Sequence, residues 1–139
     1  MEFISHSEAE TEALGEKLAR SLPEHGVVIA MYGELGAGKT AFVRGLARGL
    51  EVDGAVTTFT IVNELYGKRD LFHFDMYRLG SADELFDIGW EDYLDRGGVC
   101  AVEWSENVPE AFDGSEIRVS IEKCSDNARK ITIEGASLC

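Results

Sequence analysis

The residues "GELGAGKT", from Gly33 to Thr40, have the types and spacing of a loop that binds nucleotide phosphates. They satisfy the pattern G-x-x-x-x-G-K-[ST], in which glycines let successive backbone N–H groups point into one concavity at a helix N-terminus. We expect Lys39 to contact the β- and γ-phosphates and the Thr40 hydroxyl to bind Mg²⁺. The expected nucleotide-binding residues are Gly33, Glu34, Leu35, Gly36, Ala37, Gly38, Lys39, Thr40 and Ala41.

Two acidic residues that end apolar segments could complete the site. A P-loop protein that hydrolyses a triphosphate has a carboxylate beside the metal ion, at the end of a buried strand next to the loop. Asp75 closes "LFHFD" and Glu103 closes "VCAVE", and the four apolar residues before Glu103 match this pattern better. We expect one acid to hold Mg²⁺ or its waters and the other to orient the attacking water or accept its proton. The sequence does not decide which acid has which role.

The segments around the loop predict the elements that hold it. "VVIAMY" (Val27–Tyr32) is a continuous apolar run, which is typical of a strand buried on both faces of a sheet. After the loop, apolar residues recur on one helical stripe: Phe42, Val43, Leu46, Ala47 and Leu50. Ser7 and Glu10 have capping-box spacing, and leucines then recur every fourth residue, which predicts a helix from about Ser7 to Leu22.

The rest of the chain alternates strands with one helical segment. "FTIVNELY", "LFHFDMY" and "VCAVEW" read as strands, and "SADELFDIGWEDYLDRGG" reads as a helix broken at Gly89. The tail predicts an antiparallel hairpin around "CSDNAR", with alternating Ile117, Val119, Ile121, Ile131 and Ile133. The sequence therefore predicts one α/β domain over residues 1–139, with a P-loop NTPase-like three-layer fold. Its sheet is expected to be mixed and mainly parallel.

Charge and cysteine content narrow the function classes. The net charge is −13, and Leu79–Glu116 holds eleven acidic residues against Arg96 alone, so unaided nucleic-acid binding is disfavoured. That segment is either a solvated acidic face or a docking surface for a basic partner. The three cysteines are widely spaced and form no C-x-x-C pair, and the N-terminus lacks basic and apolar signal regions. We expect a cytoplasmic protein with reduced thiols.

Three classes of nucleotide-binding protein differ in the further residues that they need. A GTPase would carry N-K-x-D, and the nearest segment, "GKRD" (Gly67–Asp70), lacks the asparagine and precedes a strand. A small-molecule kinase needs lid arginines at the transferring phosphoryl group, and the lid region offers Arg96 alone, so a kinase is the alternative. A nucleotide-dependent module needs a segment that senses the γ-phosphate. "VTTFT" (Val56–Thr60) could be that segment, or simply the start of a strand rich in β-branched residues.

Several motifs in order resemble one family: "GELGAGKTAFVRGLARGL", "TFTIVNELY", "HFDMYRL", "ELFDIGWEDYL" and "AVEWSE". From about Ser7 to Glu106 the chain is similar to the bacterial TsaE family, also called YjeE. The resemblance implies a cytoplasmic P-loop ATPase that uses ATP and Mg²⁺ in making threonylcarbamoyladenosine beside the tRNA anticodon. It also implies two protein partners, TsaB and TsaD, with tRNA met only indirectly through their complex.

The resemblance also implies roles for single residues. Lys39 and Thr40 match the residues for phosphate and Mg²⁺, and Asp75 and Glu103 match the two acids implicated in ATP turnover. Trp104 matches the tryptophan linked to function in the family, although the residues alone favour a packed strand-end aromatic here. His73 lies in the same motif as Asp75, where a single histidine on a strand is more often structural.

Two positions depart from the pattern of that family. Val56 and Thr57 stand where the family's sensor usually has Ser-Pro, while Thr58 matches and is expected to keep its role. Ser105 replaces the usual proline after the tryptophan, and we expect this change to matter little.

Overall fold

The computed structural model describes residues 1–34, 37–52, 62–77 and 81–136. Within these residues seven strands form one sheet in the order β1-β7-β6-β2-β5-β4-β3. The strands are β1 (Glu2–Ser5), β2 (Val27–Tyr32), β3 (Val62–Leu65), β4 (Leu71–Asp75), β5 (Val99–Glu103), β6 (Ile117–Ser125) and β7 (Ala128–Glu134). The helices are α1 (Glu8–Arg20), α2 (Lys39–Gly49), α3 (Ala82–Ile88) and α4 (Trp90–Asp95), with short 3₁₀ helices at Ser105–Asn107 and Pro109–Ala111.

The sheet is mixed, as the sequence predicts, and its parallel strands lie at the centre. Strands β6, β2, β5 and β4 run parallel, so three of the six pairings are parallel and the three at the edges are antiparallel. The predicted C-terminal hairpin is confirmed, with Ile121 opposite Ile131 and Val119 opposite Ile133. The carboxyl ends of the four parallel strands therefore meet at one edge, where a ligand site is expected in such sheets.

The core lies on both faces of the sheet, which confirms the three-layer architecture. Alternate residues of β2 and β5, such as Ile29 and Ala101, pack in one cluster with α1 and α2. The intervening residues, such as Cys100, pack in a second cluster with Trp90 and Tyr93 of α4. Residues on the same face of a strand recur with period two, so the side chains of one face share one layer of helices.

Helices α1 and α2 pack closely beneath the phosphate loop. A Cβ atom on Gly45 would lie 1.9 Å from the carbonyl oxygen of Glu12, so only glycine permits this approach. Ser7 caps α1 as predicted, because its hydroxyl accepts the Glu10 N–H at 3.0 Å, while the Glu10 carboxylate accepts the N–H of His6, the residue before the cap, at 2.8 Å. The helix ends at Arg20, two residues before the predicted end.

The remaining elements agree with the sequence except at the N-terminus. The predicted helical break at Gly89 is confirmed, since its φ of +106° ends α3 and begins α4. Of the predicted strand "FTIVNELY", residues 59–61 lie outside the described residues, and β3 is Val62–Leu65. The edge strand β1, in which Phe3 pairs with Ile131, was not predicted. None of the described helices is long and apolar enough to cross a membrane.

Candidate functional site

The predicted phosphate loop joins the central strand β2 to helix α2. Gly33 and Gly38 have φ values of +146° and +112°, a backbone conformation that favours glycine. A Cβ atom on Gly33 would also lie 2.5 Å from the carbonyl oxygen of Ile121 on β6. Leu35 and Gly36 lie outside the described residues. The strand before the loop and the helix after it are the context that the glycine-rich pattern requires.

The side chain of Lys39 turns back over the loop and is almost fully buried. Its ammonium donates a hydrogen bond to the carbonyl oxygen of Gly33 and lies 3.4 Å from the centroid of the Trp104 ring. Burial lowers the pKa of Lys39, whereas the carboxylates of Glu106, Glu103 and Asp75 act in the opposite direction. The three acids thus favour the charged ammonium that a phosphate-binding lysine needs.

The two candidate acids are neighbours at the ends of adjacent parallel strands. Asp75 pairs with Glu103 in the β4–β5 register, and Glu103 is 4% exposed. The Oε1 atom of Glu103 lies 3.5 Å from Oγ1 of Thr40, at the start of α2. Asp75 accepts the backbone N–H of Tyr77 at 3.1 Å. Burial raises the pKa of Asp75, and the nearby Glu103 carboxylate adds to this increase.

His73 contacts Glu103, a contact that sequence reasoning did not foresee. The imidazole is fully buried, and its Nε2 atom is hydrogen-bonded to Oε2 of Glu103. On the other side of the ring, Nδ1 lies 3.3 Å from Nδ2 of Asn63 on β3. A signal was present in the sequence, because His73 and Asp75 are two residues apart on one strand and so share a face.

Trp104 and Ser105 follow the acid at the end of β5. Trp104 has a φ of +60°, and its ring packs against Tyr77 with centroids 5.0 Å apart and the two planes tilted by 48°. Ser105 is fully buried, and its hydroxyl accepts the Met31 N–H at 3.1 Å and donates to the Val102 carbonyl at 2.8 Å. Ser105 thus ties the end of β5 to the end of β2, a structural role that was not foreseen.

The predicted sensor cannot be placed relative to these residues. Thr58, together with Val56 and Thr57, lies outside the described residues.

A cavity of about 300 Å³ lies on the other side of the phosphate loop. Its wall includes Ala37, Gly38 and Ala41 from the loop and α2, and Thr11 from α1. The β6–β7 turn contributes Asp126 and Asn127 to the wall, and β7 contributes Arg129. The Nε of Arg129 donates to the Ala37 carbonyl at 3.0 Å. Cavities of this size are large enough for small ligands.

The donor atoms at the loop fit a magnesium ion that is shared with a phosphate. Thr40 and Glu103 offer a hydroxyl and a carboxylate, which are the oxygen ligands that Mg²⁺ prefers. No group of three or more His, Cys, Asp or Glu side chains in the described parts of the chain could hold a metal ion. Mg²⁺ usually takes one or two protein carboxylates and completes its shell with water and phosphate oxygens.

Comparison with known proteins gives one consistent family. The family model described as "TsaE: Threonylcarbamoyl adenosine biosynthesis protein TsaE" matches residues 5–131. The "tRNA threonylcarbamoyladenosine biosynthesis protein TsaE" of Treponema pallidum (strain Nichols) is 38% identical over 135 residues, covering 96% of this chain and 99% of that protein. The protein of the same name from Bacillus subtilis (strain 168) is 38% identical over 126 residues, covering 88% of this chain and 78% of that protein.

A solved structure has the same fold. The crystal structure of Bacillus subtilis YdiB superposes with a TM-score of 0.79 at 31% sequence identity. The match covers 100% of this chain and 86% of the YdiB chain. The α/β architecture is therefore shared over the whole length.

Proposed function

Since the chain belongs to the TsaE family of tRNA threonylcarbamoyladenosine biosynthesis, we propose that it is the Mg²⁺-dependent ATPase of that machinery and acts through TsaB and TsaD. One observation carries the ATPase assignment: Glu103 lies beside Thr40 at the start of the phosphate-loop helix, with Asp75 paired to Glu103 on the next strand. A loop that only bound phosphate would not need two carboxylates there, because they repel an anion unless a cation lies between.

Lys39, Thr40 and Glu103 form the phosphate and metal side of the proposed site. When nucleotide binds, the Lys39 ammonium exchanges the Gly33 carbonyl for the β- and γ-phosphates, with which it forms charge-assisted hydrogen bonds. Thr40 and Glu103 would hold Mg²⁺, which neutralises charge that develops on the phosphates during hydrolysis. Trp104 covers the Lys39 ammonium and excludes water from it.

Asp75 is the residue that we assign to the attacking water. It lies one strand further from Thr40 than Glu103 does, because β5 separates β4 from β2. The pKa of Asp75 is raised by burial, which makes its carboxylate a better proton acceptor than an ordinary aspartate. Asp75 therefore orients the water and takes its proton, while Glu103 serves the metal.

The cavity beside the loop is the proposed place of the nucleoside. A nucleotide whose phosphates rest on the loop would extend past Gly38 and Ala41, which line the cavity. The polar side chains of Asp126 and Asn127 at its far side could pair with the hydrogen-bonding edge of a base. A cavity beside the loop is expected for a complete nucleotide and not for free phosphate.

The alternative of a small-molecule kinase has less support. Arg96 pairs with Glu64 at 2.8 Å, and its guanidinium lies 4.6 Å from the centroid of the Tyr93 ring. These contacts hold Arg96 on the α4 side of the sheet, so it is not poised above the phosphate loop. A regulatory ATPase needs no such arginine, and the nucleotide then acts as a signal to the partners.

The partners are proposed from the family together with the charge of the surface. The first turns of α3 and α4 carry Asp83, Glu84, Glu91 and Asp92. An acidic face suits docking on a basic protein surface better than on RNA, so tRNA would be met only through the TsaB–TsaD complex. We place this assembly in the cytoplasm.

ATP hydrolysis by the chain, alone and with purified TsaB and TsaD, tests the proposal. We expect slow turnover alone and faster turnover with the pair. Glu103→Gln should keep ATP binding within about tenfold but stop hydrolysis, and Lys39→Ala should abolish both. Glu122→Gln, an exposed acid on β6, is the matched control and should behave as wild type. A turnover rate that is the same with and without TsaB and TsaD, or normal turnover in Lys39→Ala, would refute the assignment as a partner-dependent ATPase.

A further inference from the structure

The buried imidazole of His73 lies next to the proposed ATPase site, and the chemistry assigned above does not use it. His73 is 0% exposed on β4, which lies between β3 and β5. Burying a polar ring costs free energy unless its nitrogens find partners, so an apolar residue would fill this core position more simply. Both ring nitrogens do have partners, and one of them is Glu103.

The chemistry of the two partners sets the direction of these hydrogen bonds. The amide Nδ2 of Asn63 can only donate, so Nδ1 of His73 is the acceptor at 3.3 Å. A neutral imidazole that accepts at Nδ1 carries its proton on Nε2. That N–H donates to Oε2 of Glu103. The hydrogen bonds therefore run from the Asn63 amide through the imidazole to the carboxylate.

Because the His73 N–H binds one oxygen of Glu103, the two oxygens of that carboxylate make separate contacts. Oε2 is held by His73, and Oε1 is left facing Thr40 at 3.5 Å. On β5 the direct cross-strand partner of His73 is Ala101, whose small side chain leaves room for the imidazole to reach Glu103 diagonally. A glutamate has three rotatable side-chain bonds, so its carboxylate keeps one orientation only if a partner holds it.

We propose that His73 is a positioning residue that holds Glu103 in the orientation required by Thr40 and the metal, without contacting the nucleotide itself. This inference rests on the proposed function, because the orientation of Glu103 affects turnover only if Glu103 acts in ATP hydrolysis. Hydrogen-bond partners behind a metal-binding side chain typically change metal affinity or activity by about 10–100-fold. The loss should fall on kcat, since the loop and the cavity bind the nucleotide.

The first test uses the nucleotide-free protein and needs no metal. Long-range ¹H–¹⁵N NMR at pH 8 identifies the tautomer of each imidazole, and the His73→Gln spectrum assigns His73 among the three histidines. We expect the Nε2–H tautomer for His73, with a slowly exchanging proton whose shift changes in Glu103→Gln. An Nδ1–H tautomer, or a proton that exchanges as fast as those of His6 and His25, would overturn the proposal.

The second test compares two substitutions at the same position. His73→Leu removes the donor, whereas His73→Gln can place an amide N–H near the position of Nε2–H. With TsaB and TsaD present, we expect kcat of His73→Leu to fall about 10–100-fold while KM for ATP stays within about threefold. His73→Gln should recover most of that loss. Equal losses in both variants, or an unchanged kcat in His73→Leu, would contradict the proposal.

A core control separates positioning from loss of stability. Ile133→Ala on β7 removes a side chain that is 1% exposed and remote from Glu103 in the strand order, so it should lower stability without lowering kcat. If wild type hydrolyses no ATP under any condition, the proposed function fails. The NMR result would still decide whether His73 holds Glu103.

Discussion

Ser105→Ala should destabilise the protein far more than an average serine substitution. The Ser105 hydroxyl stands between the Met31 N–H and the Val102 carbonyl, and the side chain is 0% exposed. Alanine would leave both backbone groups without this partner in the core. The hydroxyl-sized gap is too small for a water with two to four partners of its own.

The expected loss follows from the two groups that become unsatisfied. Leaving a buried donor or acceptor without a partner costs about 1–3 kcal/mol, so two such groups cost roughly 2–4 kcal/mol when partial relaxation is allowed. For a chain of this length each kcal/mol lowers Tm by about 3–4 °C. We therefore expect Tm to fall by roughly 6–16 °C.

Urea unfolding measures this difference and includes a matched control. Ser21→Ala also removes a hydroxyl that donates to a backbone carbonyl, the Lys17 oxygen at 2.9 Å, but that bond is exposed and water can replace it. We expect the urea midpoint of Ser105→Ala to fall well below that of Ser21→Ala, with the m-value unchanged. Equal midpoints for the two variants would refute the reasoning, because burial would then make no difference to the hydroxyl.

Three further predictions concern charge, packing and thiol reactivity. Burial raises the pKa of Asp75, so the folded state binds the carboxyl proton more tightly than the unfolded state does. The folded state therefore loses stability as pH rises through the folded pKa. Asp75→Asn should raise the urea midpoint at pH 7 but not at pH 3. Gly45→Ala should lower stability by about 1–3 kcal/mol in urea unfolding, because its Cβ would overlap the Glu12 carbonyl, and an unchanged midpoint would contradict the close packing. Burial raises the pKa of Cys100 to about 12, whereas Cys124 is exposed. A Cys139→Ser protein treated with a thiol reagent should therefore be modified at Cys124, with Cys100 intact until urea is added. Mass spectrometry identifies the modified residue.

The sequence was sufficient to predict most elements of the fold because local signals agreed with one another. The phosphate loop is preceded by the apolar strand Val27–Tyr32, whose predicted and observed ends coincide. Alternation in the tail predicted the β6–β7 pairing, since a shift by one residue would expose every isoleucine. The short strand β1 lacked such a signal, because a four-residue edge strand is held by pairing with β7 rather than by its own pattern.

The hydrogen-bond partners of His73 and Ser105 could not be identified from local sequence. Each depends on a residue that is distant in the chain and close in the sheet: Glu103 for His73, and Met31 for Ser105. For a lone polar residue in an apolar segment, the sequence does not distinguish burial from exposure until the partner of that residue is known. The strand order is therefore the information that the sequence lacked.

Strand order also bears on which acid serves the metal, a choice that the sequence left open. Asp75 and Glu103 both end predicted strands and are paired in register, although the four apolar residues before Glu103 match the pattern of a metal carboxylate better. β5 lies next to β2, however, and β4 lies one strand further away. Neighbouring strands are about 4.8 Å apart, so the backbone of Asp75 lies one strand spacing further from β2 than that of Glu103 does. Glu103 is therefore the acid beside Thr40, and Asp75 is left for the proposed role of orienting the water.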